Sequence, residues 1–326
     1  MIEDFIKKNL IKDSNNHFRI IDLPGGVSSD IKRVLKEDGT SFVVKKALPK
    51  LKVKEDWFSN PERNFVESKA IKMVSTVFPN YVPKIIFSDP NIPIFAMEYV
   101  EGRNWKSELM KGNIDNSVAN NLGFFLASFH NISYMNEGWL NEFENMTLFR
   151  ELRISPYLET ILDIYPTLKE KIGRIIIDLT DQKKVLVHGD FSPKNVILRE
   201  DNSICILDWE VAHAGNFAFD ISFMMSHLLL KAIHFGNKHK SYEALAIDFY
   251  KSYFAKIKMI NEKDSRQGIF RITGALILAR VDGKSPVEYL NNTEKELARK
   301  FGEDLINDKI DVIEQIDGII GDYNGK

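Results

Sequence analysis

Residues 188–195 read His-Gly-Asp-Phe-Ser-Pro-Lys-Asn, and residues 206–210 read Ile-Leu-Asp-Trp-Glu. Asn195 follows Asp190 by 5 residues, and Asp208 follows it by 18. Two carboxylates and an amide at this spacing are polar side chains set next to apolar segments. The spacing predicts that the three side chains act together.

The chain between these stretches has the pattern of a β-hairpin. Apolar runs at residues 196–198 and 204–207 flank a polar turn at residues 199–203. The outer ends of such a hairpin lie side by side, because neighbouring strands are about 4.8 Å apart. We therefore expect Asn195 and Asp208 to reach one cation.

Oxygen ligands of this kind suit the transfer of a phosphoryl group. A hydroxyl nucleophile needs a carboxylate near its proton, and the metal ion bound to ATP needs oxygen ligands on the opposite side. Asp190 meets the first need, and Asn195 with Asp208 meets the second. The compound pattern predicts a phosphoryl-transfer site that uses ATP and Mg²⁺, whereas a lone His-Gly-Asp would indicate an ordinary surface hairpin.

Length and composition favour a soluble protein of two lobes. The chain has 326 residues, of which 44% are hydrophobic and 28% charged, with a net charge of −2. This balance excludes the basic footprint of nucleic-acid binding, and no apolar run of about 18 residues predicts a membrane span. Cys205 lies in an apolar segment, where a packing role is expected. The first residues have no signal-peptide core, so we predict a cytoplasmic location.

A glycine-containing turn follows the first strand-like segment. Gly25 and Gly26 permit a close approach of the backbone to a ligand, and Ser28 and Ser29 offer hydroxyls and amides to phosphate oxygens. The alternative is an ordinary turn between strands. The strand-like segments here are residues 18–23, 31–35 and 41–45.

Two adjacent lysines compete for the phosphate-binding role. Because neighbouring side chains of a strand point to opposite faces, only one of Lys45 and Lys46 can face the nucleotide. A helix predicted from about residue 61 to residue 77 offers Glu62 and Glu67 as partners for the lysine. Glu67 is better placed, in the middle of this helix.

Residues 94–102 are an apolar strand that turns polar and ends in glycine. Backbone groups from Glu98 to Val100 are expected to bond the adenine edge. Beyond this strand the pattern becomes mostly helical. Helices are predicted at residues 116–130, 157–179 (one or two), 218–235, 242–257, 268–281 and 294–319. Asp220 is expected either to cap its helix or to hold the backbone of residues 188–190.

The chain resembles the aminoglycoside phosphotransferase and choline kinase group of small-molecule kinases, which share a fold with protein kinases. The resemblance rests on residues 188–190 with Asn195, on residues 207–210, and on Asp220. It implies an α+β, two-lobed protein-kinase-like fold. Residues 1–100 would form a small antiparallel-sheet lobe and residues 101–326 a larger, mainly helical lobe that carries the catalytic loop.

The resemblance also implies a role for each candidate residue. Asp190 would act as the general base or orient the acceptor hydroxyl. The residues implied to bind Mg²⁺ are Asn195, Asp208 and, as an accessory ligand, Glu210. Lys45, held by Glu67, is implied to bind ATP, and the other implied ATP contacts are Gly25, Gly26, Ser28, Ser29, Glu98 and Val100. His188 is implied to brace the loop.

Residues 44–49, Trp57 and residues 63–67 are similar to the amino-terminal lobe of methylthioribose kinases. The similarity does not extend to the residues that bind the acceptor substrate in those enzymes. Those enzymes carry His-Thr-Gly-Ser after the catalytic aspartate, where this chain has Ser-Pro-Lys-Asn at residues 192–195. They bind sugar with paired arginines, where this chain has Arg280 alone.

We therefore predict a phosphotransferase that acts on a hydroxyl of a small metabolite, such as a sugar, an amino alcohol or an aminoglycoside-like compound. One alternative is a methylthioribose-kinase-like sugar kinase. An alternative of another class is a nucleotide-binding pseudokinase that serves as an interaction module. Trp105, Tyr157 and Arg280 are candidates for the acceptor pocket. The sequence leaves the acceptor and the oligomeric state open.

Overall fold

The computed structural model describes residues 2–10, 17–23, 28–52 and 57–324. By its contacts the chain forms two compact units. The first comprises residues 1–103 and 196–212, and the second comprises residues 104–195 and 213–326. The units thus do not follow a single cut near residue 100, because the hairpin after residue 195 belongs with the first unit. The functional division at residue 100 stays a prediction.

The first unit is built on a five-stranded antiparallel sheet. In chain order its strands are Phe18–Asp22, Ser29–Lys36, Ser41–Ala47, Ile85–Ser88 and Ile94–Glu98. The fifth strand lies between the third and the fourth, so the sheet order is 1-2-3-5-4. The predicted strands are all present, and Ile85–Ser88 is an additional one.

Alternation along the third strand separates its two faces. Phe42 and Val44 are buried with the amino-terminal helix Ile2–Asn9 in one apolar cluster. Lys45 therefore projects from the opposite face of the strand. A helix at Arg63–Ser75 supplies Glu67, one of the carboxylate partners of this lysine.

The predicted hairpin is also present in the first unit. Val196–Leu198 pairs with Ile204–Ile206 in antiparallel register. Asn202 adopts a left-handed backbone conformation in its turn, which an asparagine tolerates. Cys205 is buried in the second strand as expected, and burial raises the pKa of its thiol to about 12.

The second unit is mainly helical. Its longest helices are Asn116–Ser133, Lys169–Asp181, Ala218–His234, His239–Lys256, Glu262–Asp282 and Asn292–Ile306. Shorter helical segments are Trp105–Met110, Glu137–Glu142, Thr147–Phe149, Thr160–Leu162, Pro166–Leu168, Pro193–Asn195, Gly236–Lys238, Ile313–Ile316 and Ile319–Asn324, with a π-helix at Arg150–Glu159. A two-residue strand, Arg103–Asn104, lies where the chain passes into this unit, and Val185–Val187 pairs with His213–Gly215.

The helix Ala218–His234 is the centre of the second unit. All its residues up to Ile233 are buried, which explains why its sequence is apolar on every side. It packs against the helices His239–Lys256 and Glu262–Asp282. None of the described helices is both long and apolar enough to span a membrane.

One helix prediction is wrong. The segment predicted as one helix from residue 294 to residue 319 ends at Ile306. Asp308 then takes a left-handed conformation, and its neighbour Lys309 donates its N–H to the carbonyl of Asp304. Asparagine and aspartate favour such a reversal because their short polar side chains stabilise it locally.

Helix packing in the second unit depends on a close approach at Gly123. A Cβ atom there would lie 2.5 Å from the carbonyl oxygen of Phe249 in the helix His239–Lys256. We predict that Gly123→Ala lowers the free energy of unfolding by ~1–3 kcal/mol through overpacking. Denaturant titration followed by circular dichroism measures this change.

Gly268 provides the matched control. It also lies inside a helix, but nothing comes within 4 Å of an added Cβ atom. Gly268→Ala should be neutral or stabilising, by up to ~1 kcal/mol, because alanine has the higher helix propensity. Equal destabilisation by the two substitutions would contradict the packing argument.

Candidate functional site

A buried ion cluster forms around Lys45 in the first unit. The Lys45 ammonium lies 2.7 Å from the Glu67 carboxylate and 2.6 Å from that of Asp208. The Glu210 carboxylate is 3.9 Å away. Lys46, in contrast, is partly exposed. The predicted choice of Lys45 over Lys46 therefore agrees with burial, and the predicted contact with Glu67 is present.

The ion cluster controls the charge of its members. Burial alone would lower the pKa of Lys45, but Asp208, Glu67 and Glu210 together raise it well above its usual value. Burial raises the pKa of the Glu67 carboxyl, and Lys45 opposes this shift. The lysine therefore stays cationic, and its position is held by the carboxylates around it.

Arg63 is a member of this cluster that the sequence analysis missed. It is fully buried and donates to the Glu210 carboxylate at 3.2 Å. Its remaining donors bind the carbonyls of Leu48 at 2.6 Å, of Ser59 at 3.0 Å and of Ser28. Arg63 thus connects the helix Arg63–Ser75 to the backbone at Ser28, in the predicted phosphate-binding turn, and at Leu48, three residues after Lys45. An arginine at the first position of a helix gives no local signal of such a role.

The three carboxylates of the cluster form a possible metal site. Glu67, Asp208 and Glu210 each offer one oxygen atom, and these atoms all lie within 4.8 Å of one another. Oε1 of Glu67 is buried without a hydrogen-bond partner. Hard oxygen donors of this kind suit Mg²⁺. Asp208 has a left-handed backbone (φ 68°), which for a non-glycine residue is uncommon and marks functional loops.

The predicted phosphate-binding turn lies partly outside the described residues. Gly25 and Gly26 belong to residues 24–27, which the structure does not describe. Ser28 and Ser29 are both buried, and the Ser29 hydroxyl has no hydrogen-bond partner among the residues that the structure describes. A buried hydroxyl without a partner is costly, so Ser29 is compatible with contact to a polar ligand.

The predicted adenine-binding strand is more constrained than expected. The N–H of Glu98 donates to the carbonyl of Lys84 at 2.8 Å, and the Glu98 carboxylate accepts from the N–H of Lys84 at 3.1 Å. The backbone N–H of Glu98 is therefore already engaged within the protein. Val100 lies beyond the end of the strand.

The loop that carries Asp190 is held from below in the second unit. Gly189 has φ +78°, a left-handed conformation that favours glycine. The Asp220 carboxylate accepts the N–H of His188 at 2.7 Å and that of Gly189 at 2.9 Å. The ring nitrogen Nδ1 of His188 accepts the N–H of Asp190 at 3.1 Å. Of the two roles expected for Asp220, the structure shows the support of this loop, and His188 also braces it as predicted.

Three side chains hold the Asp190 carboxylate. Arg153 contacts Oδ1 at 2.8 Å. Lys194 and the amide nitrogen of Asn195 each lie 2.8 Å from Oδ2. Asp190 is 2% exposed, so these contacts fix the orientation of a buried group. Arg153 and Lys194 were not predicted as site residues.

Arg153 reaches Asp190 from the π-helix Arg150–Glu159. Its Nε donates to the carbonyl of Gly189 at 2.7 Å, so the same guanidinium supports both the backbone and the side chain of the loop. A π-helix is rare and is often found at functional sites. The available signal was an arginine between the apolar residues Leu152 and Ile154.

The predicted acceptor-pocket residues divide into two groups. Arg280 lies 3.3 Å from the Tyr157 hydroxyl, and its guanidinium lies 5.9 Å from the centre of the Tyr157 ring. Arg153 lies at the same distance from this ring. Tyr157 thus connects Arg280 with the residue that holds Asp190. Trp105 is fully buried, with an indole nitrogen that has no hydrogen-bond partner.

Comparison with known proteins identifies similar chains and folds. A methylthioribose kinase from Bacillus mycoides is 26% identical over 253 residues, which cover 68% of this chain and 63% of the relative. The chain thus spans less than two thirds of the length of this curated relative.

Solved structures show the fold. An amicoumacin kinase in complex with AMP-PNP and Ca²⁺ has a TM-score of 0.60 at 14% identity and covers 92% of this chain and 93% of its own. A choline/ethanolamine kinase family protein from Mesorhizobium loti has a TM-score of 0.54 at 13% identity, with coverage of 100% and 94%. The predicted α+β kinase-like fold class is confirmed.

The sequence pattern of the phosphotransferase enzyme family matches residues 19–234. This match includes the helix with Glu67, the loop with Asp190, the hairpin before Asp208, and Asp220. It covers more than half of the chain and confirms the predicted resemblance. The chain belongs to the phosphotransferase enzyme family.

Proposed function

We propose that this protein transfers the terminal phosphoryl group of ATP to a hydroxyl of a small molecule, with Mg²⁺ as the metal ion. The observation that carries the proposal is the buried Lys45 ammonium among three carboxylates. A buried lysine paired with a helix glutamate is the arrangement by which kinases bind nucleotide phosphates. The family membership and the names of the similar proteins support the same reaction class.

In this proposal Lys45 binds the phosphates of ATP and Glu67 fixes the ammonium. Glu67 is fully buried on the helix Arg63–Ser75, so it offers a rigid anchor. The Ser29 hydroxyl, buried without a partner, is a further donor for a phosphate oxygen. Gly25, Gly26 and Ser28 remain proposed contacts of the phosphates.

Asp208 and Glu210 are the proposed metal ligands of the first unit, and their oxygens lie close enough together to share an ion. Asn195 is the ligand that we propose from the second unit. Its amide nitrogen donates to Asp190, which leaves the amide oxygen for a cation. Bound Mg²⁺ would offset the negative charge of the terminal phosphates.

Asp190 is the proposed catalytic residue. A carboxylate has about four lone-pair sites, and Arg153, Lys194 and Asn195 occupy three of them. The remaining site, on Oδ1, can accept a hydrogen bond from the acceptor hydroxyl. The carboxylate would thereby orient the hydroxyl oxygen and receive its proton as the new bond to phosphorus forms.

The first prediction concerns Asp190. Asp190→Asn should lower kcat by ~10²–10⁴-fold, because an amide orients a hydroxyl but does not accept its proton. Nucleotide affinity should remain close to that of the original protein. A coupled assay for ADP, run over sugars including methylthioribose, amino alcohols and aminoglycosides, measures the change.

Asp163→Asn is the matched control, since its carboxylate is 88% exposed and pairs with Lys169. Turnover that is undiminished in Asp190→Asn would remove the proposed role of this residue. Nucleotide binding without transfer to any acceptor in a metabolite extract would favour the pseudokinase instead.

The second prediction concerns Lys45. Lys45→Met should weaken ATP binding and lower kcat/KM for ATP by at least ~10-fold, because a charge-assisted contact to phosphate is lost. Lys46→Met replaces the partly exposed neighbour and should change both quantities little. Isothermal titration with ATP and Mg²⁺ measures binding independently of turnover.

Removing Lys45 also leaves Glu67 and Asp208 without their cation. The variant is therefore expected to be less stable, so Lys45→Arg serves as a second variant that retains the charge. An Arg variant that binds ATP better than the Met variant agrees with the role. Unchanged ATP affinity in both would contradict it.

A further inference from the structure

The second unit contains a group of basic side chains close to Asp190 that the proposed chemistry does not use in full. We refer to it as the basic cluster. Its members lie near the ring of Tyr157 or influence one another electrostatically. They are Lys106, Arg153, Lys194, His227, Lys231 and Arg280.

Lys231 is the most unusual member. Its side chain is on the helix Ala218–His234 and is 1% exposed. Its ammonium donates to the carbonyl of His227 in the same helix at 3.2 Å and lies 5.7 Å from the centre of the Tyr289 ring. Within the described part of the chain, the charged groups that act on it are Lys106 and Arg280, both cationic.

A buried cation without an anion is energetically unfavourable. Burial first, then Lys106 and Arg280, lower the pKa of Lys231 to about 7. Lysines in cores are normally replaced or paired. The sequence signal was a lysine inside the apolar run Leu228-Leu229-Leu230-Lys231-Ala232-Ile233. A buried lysine at such a position indicates a binding site for an anionic ligand.

Arg280 is the second basic group with unfilled hydrogen-bonding capacity. One of its terminal nitrogens binds Tyr157 and Ser285, but its buried Nε has no hydrogen-bond partner within the described ranges of the chain. The hydroxyl of Tyr289 is likewise buried without a partner. An ionised carboxylate or phosphate has the acceptor atoms that these donors lack.

The cations of the basic cluster also act on the two neutral groups beside them, Tyr157 and His227. Burial alone would raise the pKa of the Tyr157 hydroxyl, but Arg280, Arg153 and Lys194 lower it overall. Burial and the surrounding cations likewise hold the pKa of His227 well below its usual value, so His227 is neutral at pH 7. Among the described residues, carboxylates that act on these groups are Asp190, which Arg153 and Lys194 already contact, Glu288, which acts on Lys106, and Glu294, which acts on Tyr289.

Arg153 links the basic cluster to Asp190, the carboxylate proposed to accept a hydrogen bond from the acceptor hydroxyl. Arg153 contacts Asp190 at 2.8 Å and lies 5.9 Å from the centre of the Tyr157 ring. Arg280 lies at that distance from the same ring. A small molecule with its hydroxyl at Asp190 that extends past the Tyr157 ring would bring its far end towards Arg280.

We propose that the acceptor is an anionic small molecule, with a carboxylate or phosphate group bound by Lys231 and Arg280 and a hydroxyl presented to Asp190. Lys106, which is exposed, would meet the same anion from the solvent side. This inference rests on the proposed phosphotransferase activity. It disfavours cationic acceptors such as amino alcohols and aminoglycosides, because the basic cluster would repel them.

The main experiment compares matched acceptors. Hydroxy acids and sugar phosphates are assayed for phosphorylation beside their neutral amides or free sugars and beside cationic amino alcohols. We expect kcat/KM to be at least ~10-fold higher for an anionic member of a pair, as for a charge-assisted hydrogen bond. The carboxylate and phosphate arms show which anion is bound.

Two outcomes separate the inference from the activity on which it rests. Phosphorylation of neutral or cationic acceptors in preference to their anionic partners would overturn the anionic acceptor and leave the phosphotransferase intact. Absence of ATP binding and of transfer to every acceptor would overturn both.

A variant pair tests the residues. Lys231→Met and Arg280→Gln should each raise KM for the anionic acceptor by ~10-fold or more and change KM for ATP little. Lys169→Met is the control, since Lys169 lies on the surface of the same unit with its side chain 62% exposed. Unchanged KM for the anionic acceptor in both variants would overturn the assignment.

A stability measurement distinguishes binding from a structural role. Because the pKa of Lys231 is lowered on folding, the unfolded chain binds a proton between pH 7 and about 10.5 that the folded protein lacks. This lysine therefore costs stability, and the cost is greatest at pH 7 and below. Lys231→Met should raise the melting temperature at pH 6 to 7, with a difference that shrinks towards pH 10.

The same substitution is thus expected to stabilise the protein and to weaken acceptor binding. Malonate and inorganic phosphate serve as binding probes that do not depend on turnover. Each should raise the melting temperature of the original protein and of Lys169→Met more than that of Lys231→Met. A lower melting temperature in Lys231→Met at pH 6, with unchanged response to both probes, would show a purely structural lysine.

Discussion

A charge that leaves water must find its counter-charge, and in the first unit this requirement is met at Lys45. Its ammonium is buried, so Glu67 and Asp208 must lie within ion-pair distance. Those contacts hold together three parts of the fold: a strand of the sheet, the helix Arg63–Ser75 and the segment after the hairpin. Removal of any one of these charges would leave the others buried without full compensation, which makes the ion cluster sensitive to substitution.

The two units solve opposite electrostatic problems. Around Lys45, three carboxylates surround one ammonium group. Their oxygen atoms lie close enough together to hold a metal ion as well. Around Asp190, basic groups outnumber the carboxylate and extend past Tyr157 to Lys231. The proposed metal nucleotide and the proposed anionic acceptor would call for these two kinds of charge. The side chains nearest to each centre are buried: Lys45 and Glu67 in the first unit, and Asp190 and Arg153 in the second.

Much of this was predictable where partners are close in sequence or where a motif has fixed spacing. The hairpin followed from such a local pattern, whereas Asp220 was left with two expected roles, of which the structure shows the support of the Asp190 loop. Arg63 and Arg153 escaped prediction because their partners lie far along the chain, 147 residues away for the contact of Arg63 with Glu210. Lys231 escaped because an apolar helix was taken as core alone.

The hairpin's membership of the first unit has a consequence for biosynthesis. The chain leaves this unit at residue 103 and returns at residue 196, so Lys45 and Asp208 are separated by 163 residues. At ribosomal speeds of ~5–20 residues per second, Asp208 is made on the order of ten seconds after Lys45. During that interval the nascent amino-terminal sheet lacks Asp208 and Glu210, two of the three carboxylates that surround Lys45. Folding of the first unit is therefore completed late, after the whole first segment of the helical unit, residues 104–195, has been translated.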